Sequence, residues 1–261
     1  ANNVALGANA LQPNTTGASN TALGKGALAS NTTASNNTAV GFESLVSNTT
    51  GTRNIAIGTS ALDANTIADK NIAIGVASLT TNTTGEFNVA IGDQALSDNS
   101  TASNNTAVGH SALSANTTGI QNVAIGSNAL ASNTTASNNT AVGTNALDTN
   151  TTGDNNAAVG KNALDANTTG SANVAVGSGA GSAVTTGSSN VCLGYQAGKY
   201  IVATTTGASN TIIGSYSRAN TAGSNYVNVI GHDIVGIEGY TTLGVGTADI
   251  RAAHGNVTWA T

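Results

Sequence analysis

The chain has 261 residues, of which only 7% are charged and 3% aromatic, with a net charge of -5 and an isoelectric point near 4.8. These values exclude the basic footprint of a nucleic-acid binder, and no apolar run approaches the ~20 residues that cross a bilayer. Gly, Ala, Asn, Thr and Ser dominate, but the apolar residues are evenly spaced rather than depleted, which argues against disorder.

The opening segment, Ala1-Asn2-Asn3-Val4-Ala5-Leu6-Gly7, lacks a signal-peptide pattern and starts inside a repeat, so upstream sequence is expected. From Gly7 through Gly24, Gly41 and Gly58 to Gly194, a glycine then recurs at one fixed interval without a slip. A fixed period of this kind marks a solenoid or array. The unit reads Asn-x-Ala-(Val/Ile/Leu)-Gly-x-x-Ala-Leu-x-x-Asn-Thr-Thr-(Gly/Ala)-x-x. Its structural positions are typified by Asn54, Ala56 and Leu62 and by Gly41, Gly58 and Gly75. Asn, Thr, Gly and β-branched residues are poor helix formers, and the apolar positions do not recur at helical spacing. Adjacent units alternate, with Ala34, Ala68, Ala102 and Ala136 replacing the glycine of Gly17, Gly51, Gly85 and Gly119. The resulting doubled period equals the tetratricopeptide length but lacks that repeat's aromatic and proline signature.

The period-2 reading fits instead. In Asn54-Ile55-Ala56-Ile57-Gly58, Ile55 and Ile57 face one side of a strand and Ala56 the other. Stacked coils align the asparagines into ladders that hydrogen-bond along the axis. The alternating Gly/Ala slot does not demand a positive φ, since alanine tolerates it. The invariant glycine demands either a positive φ or close backbone approach. At about 4.8 Å per coil the regular array spans about 58 Å. Because the strand is apolar on both faces, the small alanine face is expected to pack against another subunit. The fold class is therefore all-β, an elongated parallel β-solenoid or β-roll of 17-residue repeats, expected to assemble as a homo-oligomer. Residues 1–181 form the repeat shaft and 182–261 an irregular C-terminal region.

In that region the leucine slot becomes Gly181 and then Gly198, and the glycine spacing breaks at Gly214, Gly231 and Gly244. All five tyrosines fall beyond the array: Tyr195, Tyr200, Tyr216, Tyr226 and Tyr240, with Trp259 near the end. They are read first as filling a core the small repeat residues cannot, and second as receptor contacts. Cys192, the single cysteine, occupies an alanine slot and is expected to act as a small buried hydrophobe.

Catalytic and metal chemistry is not indicated. His110, His232 and His254 share no ligand spacing with Cys192, and no calcium loop is present. Asp233 and Glu238 are candidates for a glycosidase pair, though nothing in the sequence selects them. The expectation is no enzyme activity and no cofactor. The slot after each invariant glycine, held by Lys25, Phe42, Asp93, His110 and Lys161, suits outward display.

Over about residues 1–200 the Asn-x-Ala-(Val/Ile)-Gly-x-x-Ala-Leu-x-x-Asn-Thr-Thr-Gly array resembles the repeats of phage tail-fibre proteins and related trimeric bacterial fibres. More loosely it is similar to the β-roll heads of trimeric autotransporter adhesins, whose repeat is shorter. The segment from Thr241-Thr242-Leu243-Gly244 to Trp259-Ala260-Thr261 resembles the run-in to a C-terminal intramolecular chaperone that cuts itself off. The catalytic Ser-Asp-Glu-Arg-x-Lys stretch of such chaperones is absent, as after cleavage near Thr261 or in a truncated chain. The resemblance implies a parallel homotrimer at the virion surface, or otherwise extracellular or on a cell surface. Its implied partners are further copies of itself, other virion tail proteins and a host-surface receptor, a glycan among the candidates, without nucleic-acid binding or membrane insertion. The competing readings are a trimeric bacterial adhesin, a monomeric flat-face solenoid such as an ice-binding protein, and an enzymatic tailspike.

Overall fold

Each repeat spends three residues in a strand, as at Ile55–Ile57, and the rest in turns that bring the chain back one coil further on. The computed structural model describes residues 2–199, 206–221 and 223–254, and Tyr200, Trp259 and Thr261 lie outside them. Among the described residues every regular element is a strand. The fold is an all-β parallel solenoid. The chain divides into two compact units, Ala1–Thr135 and Ala136–Thr261.

In the first unit the strands are β1 (Val4–Leu6), β2 (Thr21–Leu23), β3 (Thr38–Val40), β4 (Ile55–Ile57), β5 (Ile72–Ile74), β6 (Val89–Ile91), β7 (Thr106–Val108) and β8 (Val123–Ile125). Each pairs in parallel with the next at the repeat step, so Ala39 lies beside Ala56 and Ala56 beside Ala73. Like residues therefore stack in columns.

The columns settle which strand face is inside, and they reverse the expectation. Ala22, Ala39, Ala56, Ala73, Ala90, Ala107 and Ala124 are fully buried within their own chain. The Val/Ile columns on either side of them are half-buried or exposed. The alanine face is thus the core of the coil and is not available to another subunit. Opposite it stand the fully buried leucines from Leu28 to Leu130 and a second small column of Ala27, Ala61 and Ala95, with Ser44 and Ser78 in the same slot. Both serine hydroxyls donate to a glycine carbonyl three residues back, Gly41 and Gly75, which removes the cost of burying them.

Two asparagine ladders run through the unit. The Asn54 N–H donates to Asn37 Oδ1 at 2.9 Å, its Nδ2 donates to the Ala68 carbonyl at 2.8 Å, and its Oδ1 accepts from the Asn71 N–H at 2.9 Å. In the second ladder Asn65 Nδ2 donates to Asn48 Oδ1 at 2.9 Å and to Ala68 O at 3.1 Å. Each buried amide satisfies turn backbone that the strand ladder cannot reach, and an unmet buried group would cost about 1–3 kcal/mol.

The turns use left-handed backbone at four slots per coil, as at Gly58, Ser60, Leu62 and Lys70. The invariant glycine meets both demands raised by the sequence. Gly58 has φ 138°, and a Cβ added there would lie 2.3 Å from the Gly75 carbonyl oxygen. The leucine slot is also left-handed, from Leu11 at φ 52° to Leu164 at 51°. That conformation costs an L-residue about 1–2 kcal/mol, and burial of the leucine side chain offsets it by about 1.5–3 kcal/mol. The alternating Gly/Ala slot has no positive φ, as expected, but a methyl at Gly51 would come within 2.4 Å of Ala68 O. Alanines accordingly never occupy that slot in two successive coils.

The second unit starts with the same coil in β9 (Thr140–Val142), β10 (Ala157–Val159), β11 (Val174–Val176) and β12 (Val191–Leu193), then departs from it. The register step lengthens from β12 to β13 (Thr211–Ile213), where Cys192 pairs with Ile212. It returns to the repeat spacing from β13 to β15 (Asn228–His232), where Ile212 pairs with Val229. It then shortens from β15 to β17 (Tyr240–Val245), where Asn228 pairs with Thr241. A short second sheet pairs β14 (Arg218–Ala219) with β16 (Val235–Gly236). The parallel ladder ends in an antiparallel hairpin of β17 and β18 (Ala248–Ala253). Its tight loop begins at Gly246, φ 58°, as such hairpins favour.

Substitutions here come in compensating pairs. The Leu-to-Gly change at Gly181 accompanies Val184, which is fully buried in the slot of the second asparagine ladder. With no Asn in that next coil, Asn167 Oδ1 has no hydrogen-bond partner. Gly198 accompanies Cys192: a Cβ at Gly198 would lie 2.8 Å from Cys192 Sγ, so the larger sulfur occupies space that a leucine would take. Beyond them the core is Ala219, Val227, Val229 and Ile234.

Candidate functional site

Two surfaces differ from a neutral exterior. The first is the outward face of the strands. In the first unit its third-position column is apolar throughout: Leu23 (42% exposed), Ile57 (38%), Ile91 (37%) and Ile125 (41%) alternate with half-buried Val40, Ile74 and Val108. The first-position column beside it mixes Thr, Ile and Val, all half-buried from Thr21 to Val123. In the second unit, taken by itself, the third strand position is held by Val142, Val159, Val176, Leu193, Ile213 and Ile230. A parallel sheet is ordinarily covered on both faces, and here the outer one carries a partly exposed apolar column beside a half-buried mixed one.

The second surface is the turn after the invariant glycine. Lys25, Phe42, Asp93, His110 and Lys161 are all exposed, as their slot suggested. Lys25 Nζ lies 5.6 Å from the centre of the Phe42 ring one coil on; on a different turn, the one before the strand, Lys70 Nζ lies 4.5 Å from the centre of the Phe87 ring. Such contacts contribute about 0.5–1 kcal/mol at exposed sites. Asp63, Asp148 and Asp165, on the flanking turns, have carboxyls pushed above the ordinary aspartate range because burial disfavours the charge.

The four described tyrosines do not fill the core, which corrects their first reading. Tyr195, Tyr226 and Tyr240 are exposed and Tyr216 is half-buried, while small aliphatic residues close the interior. The structure brings two of the four described tyrosines together: the Tyr195 and Tyr216 rings meet edge to face at 5.3 Å. Tyr216 also meets His232 at 6.0 Å, and Arg218 Nη1 pairs with Asp233 Oδ1 at 2.8 Å. Tyr216, Arg218, His232 and Asp233 line an open cavity of about 530 Å³. Arg218 was not singled out from sequence. The usable signal was the slot register, since Tyr195, Tyr216, His232 and Asp233 all stand one or two residues after a glycine of the array.

Asp233 is thus engaged by an arginine, and Glu238 Oε1 accepts from the Asn225 N–H at 3.4 Å. Cys192 is buried as expected, and burial pushes its thiol up to about 12. Among the described residues no three His, Cys, Asp or Glu side chains are grouped to hold a metal, and no helix is long and apolar enough to cross a membrane. His254 Nε2 lies 3.2 Å from Asn228 Nδ2. Compared with protein-family models, curated proteins and solved structures, the chain matches none.

Proposed function

We propose that the chain is a segment of a non-enzymatic, homotrimeric fibre at the surface of a virion, attaching it to a host surface. The observation that carries this reading is the partly exposed apolar column of Leu23, Val40, Ile57, Ile74, Ile91, Val108 and Ile125 on the outside of a parallel sheet. Three copies placing these columns together would cover the face that parallel sheets normally hide. Regularly spaced branched side chains at the repeat step suit interlocking between identical chains. Each regular coil buries only a leucine, small residues and asparagines within itself, so burial of the outer columns at about 25 cal/mol per Å² would add substantially to a thin core. In this assembly the intersubunit contacts are Ile57-type positions rather than Ala56-type positions. Other virion tail proteins and a host receptor are the further partners.

A second reading has its own observation. Thr33, Thr50, Thr84, Thr101, Thr118 and Thr135 form an exposed column at the repeat step, interrupted by Ile67. A monomer that orders water or ice along such a column would use this face instead. Native mass separates the two. The fibre predicts three times the chain mass of 25.3 kDa in a species resistant to SDS at room temperature. Ile57→Asp with Ile91→Asp should dissociate it with an unchanged far-ultraviolet spectrum. A wild-type mass of 25.3 kDa sinks the trimer.

A further inference from the structure

The stacked turns after Gly194, Gly214 and Gly231 carry a set of side chains found in no coil of the first unit. Register produces it: the Tyr216 N–H donates to Tyr195 O at 3.1 Å, and the Asp233 N–H donates to Ser215 O at 2.9 Å. Equivalent turn positions of three successive coils thereby lie one above another, although the first two strands are separated by more than the repeat step. In the first unit the same two slots hold pairs such as Phe42-Glu43, Thr59-Ser60 and Val76-Ala77. Here they hold Tyr195-Gln196, Ser215-Tyr216 and His232-Asp233, and Arg218 reaches into the same place from β14.

We infer that this cavity binds a neutral hexopyranoside, the terminal sugar of a surface glycan. A pyranose presents one patch of C–H groups and a rim of hydroxyls that both donate and accept. The Tyr216 ring, which lines the cavity, supplies apolar aromatic surface; the exposed Tyr195 ring packs against it edge to face, and Gln196 Nε2 steadies Tyr195 by donating to its hydroxyl at 3.1 Å. Arg218 and Asp233 supply the rim. The guanidinium is a planar fork of donors and the carboxylate only accepts, so together they match a pair of neighbouring hydroxyls. Arg218 donates as well to Tyr216 O at 3.3 Å, which fixes the fork beside the ring. Because Arg218 and Asp233 neutralise each other at 2.8 Å, the cavity offers little excess positive charge to a carboxylated or sulfated sugar. A volume of about 530 Å³ suits one or two sugar rings.

Tyr216 stands at φ 60° in a slot that other coils fill with Asn, Gln, Glu, Asp, Ser, Ala or Gly, so the ring is particular to this coil.

The inference rests on the attachment half of the function proposed above and is independent of the trimer. The test uses the whole chain, titrated with maltose, cellobiose, lactose and mannobiose, and with 3′-sialyllactose as the anionic contrast, read by ligand-observed NMR. At least one neutral disaccharide is expected to show saturable transfer with a dissociation constant in the ~mM range. Tyr216→Ala and Asp233→Asn should each weaken it about tenfold or more, and Tyr226→Ala, an exposed tyrosine outside the cavity, should leave it unchanged. Asp233→Asn keeps a side chain suited to left-handed backbone, so its loss of binding is not a loss of folding; circular dichroism checks both variants. Silence from all four neutral sugars, binding of sialyllactose alone, or wild-type binding by a folded Tyr216→Ala each overturns the inference. A trimer that binds no sugar leaves the fibre standing and removes the site. A monomer that binds one through Tyr216 does the reverse.

Discussion

The regular coils, from β2 to β11, and the coils after Gly177 use one plan under different constraints. In the regular coils the invariant glycine, strand-centre alanine, leucine and asparagine slots each stack on their own kind, so for these slots the requirements of one coil are those of the next. Leucine sits on leucine, and each Asn54-type amide is held by the asparagines above and below it. Such a column tolerates little, because a change meets two neighbours at fixed spacing. After Gly177 the columns break in pairs, Gly181 with Val184 and Cys192 with Gly198, and coil length varies. Chemically distinctive side chains gather where the column rule has lapsed, and repetition itself leaves little scope for a specific site.

The sharpest way to break this contrast is to make one substitution in both regions. Gly58→Ala faces a φ of 138° and a carbonyl oxygen 2.3 Å from its new methyl. We expect a loss of about 4 kcal/mol or more, the range of severe strain and overpacking. Gly246→Ala, at φ 58° with nothing within 4 Å of the added carbon, should cost only about 1–2 kcal/mol. Urea unfolding measures both, and equal losses would remove the distinction.

A smaller effect tests the paired changes. Gly198→Ala alone crowds Cys192 Sγ and adopts a left-handed backbone at φ 74°, an expected cost of about 2–4 kcal/mol. Adding Cys192→Ala should recover part of it, with a coupling energy of about 0.5–3 kcal/mol in the double-mutant cycle. Additive losses would mean that sulfur and glycine are unrelated.

The smallest effect is electrostatic. Burial raises the Asp165 carboxyl above its ordinary value, so the folded chain holds that proton more tightly than the unfolded one. Its contribution to stability is therefore fully present below the unfolded value of about 3.9 and is lost as pH rises through the higher folded value. Asp165→Asn should raise the melting temperature at pH 7 by roughly 1–2 °C, and the difference should fade as pH drops below about 4. A difference independent of pH would count against the burial explanation.

By itself, the fixed glycine beat with its period-2 strand core determined the parallel solenoid, because a fixed period compels like residues to stack. It also determined the axial asparagine ladders, the buried Cys192 and the outward slot of Lys25 and Phe42. Which face of the strand is inside was not legible, since Ile55, Ala56 and Ile57 are all apolar and alternation cannot choose between two apolar faces. The tertiary structure chose alanine, because only a methyl fits between the strand and the leucine column of so thin a coil. It also decided that the leucines take left-handed backbone, a conformation that leucine disfavours and that only the glycines at 181 and 198 hinted at. The meeting of Tyr216, Arg218, His232 and Asp233 likewise depends on coil register across an irregular step, which the spacing of residues along the chain does not carry.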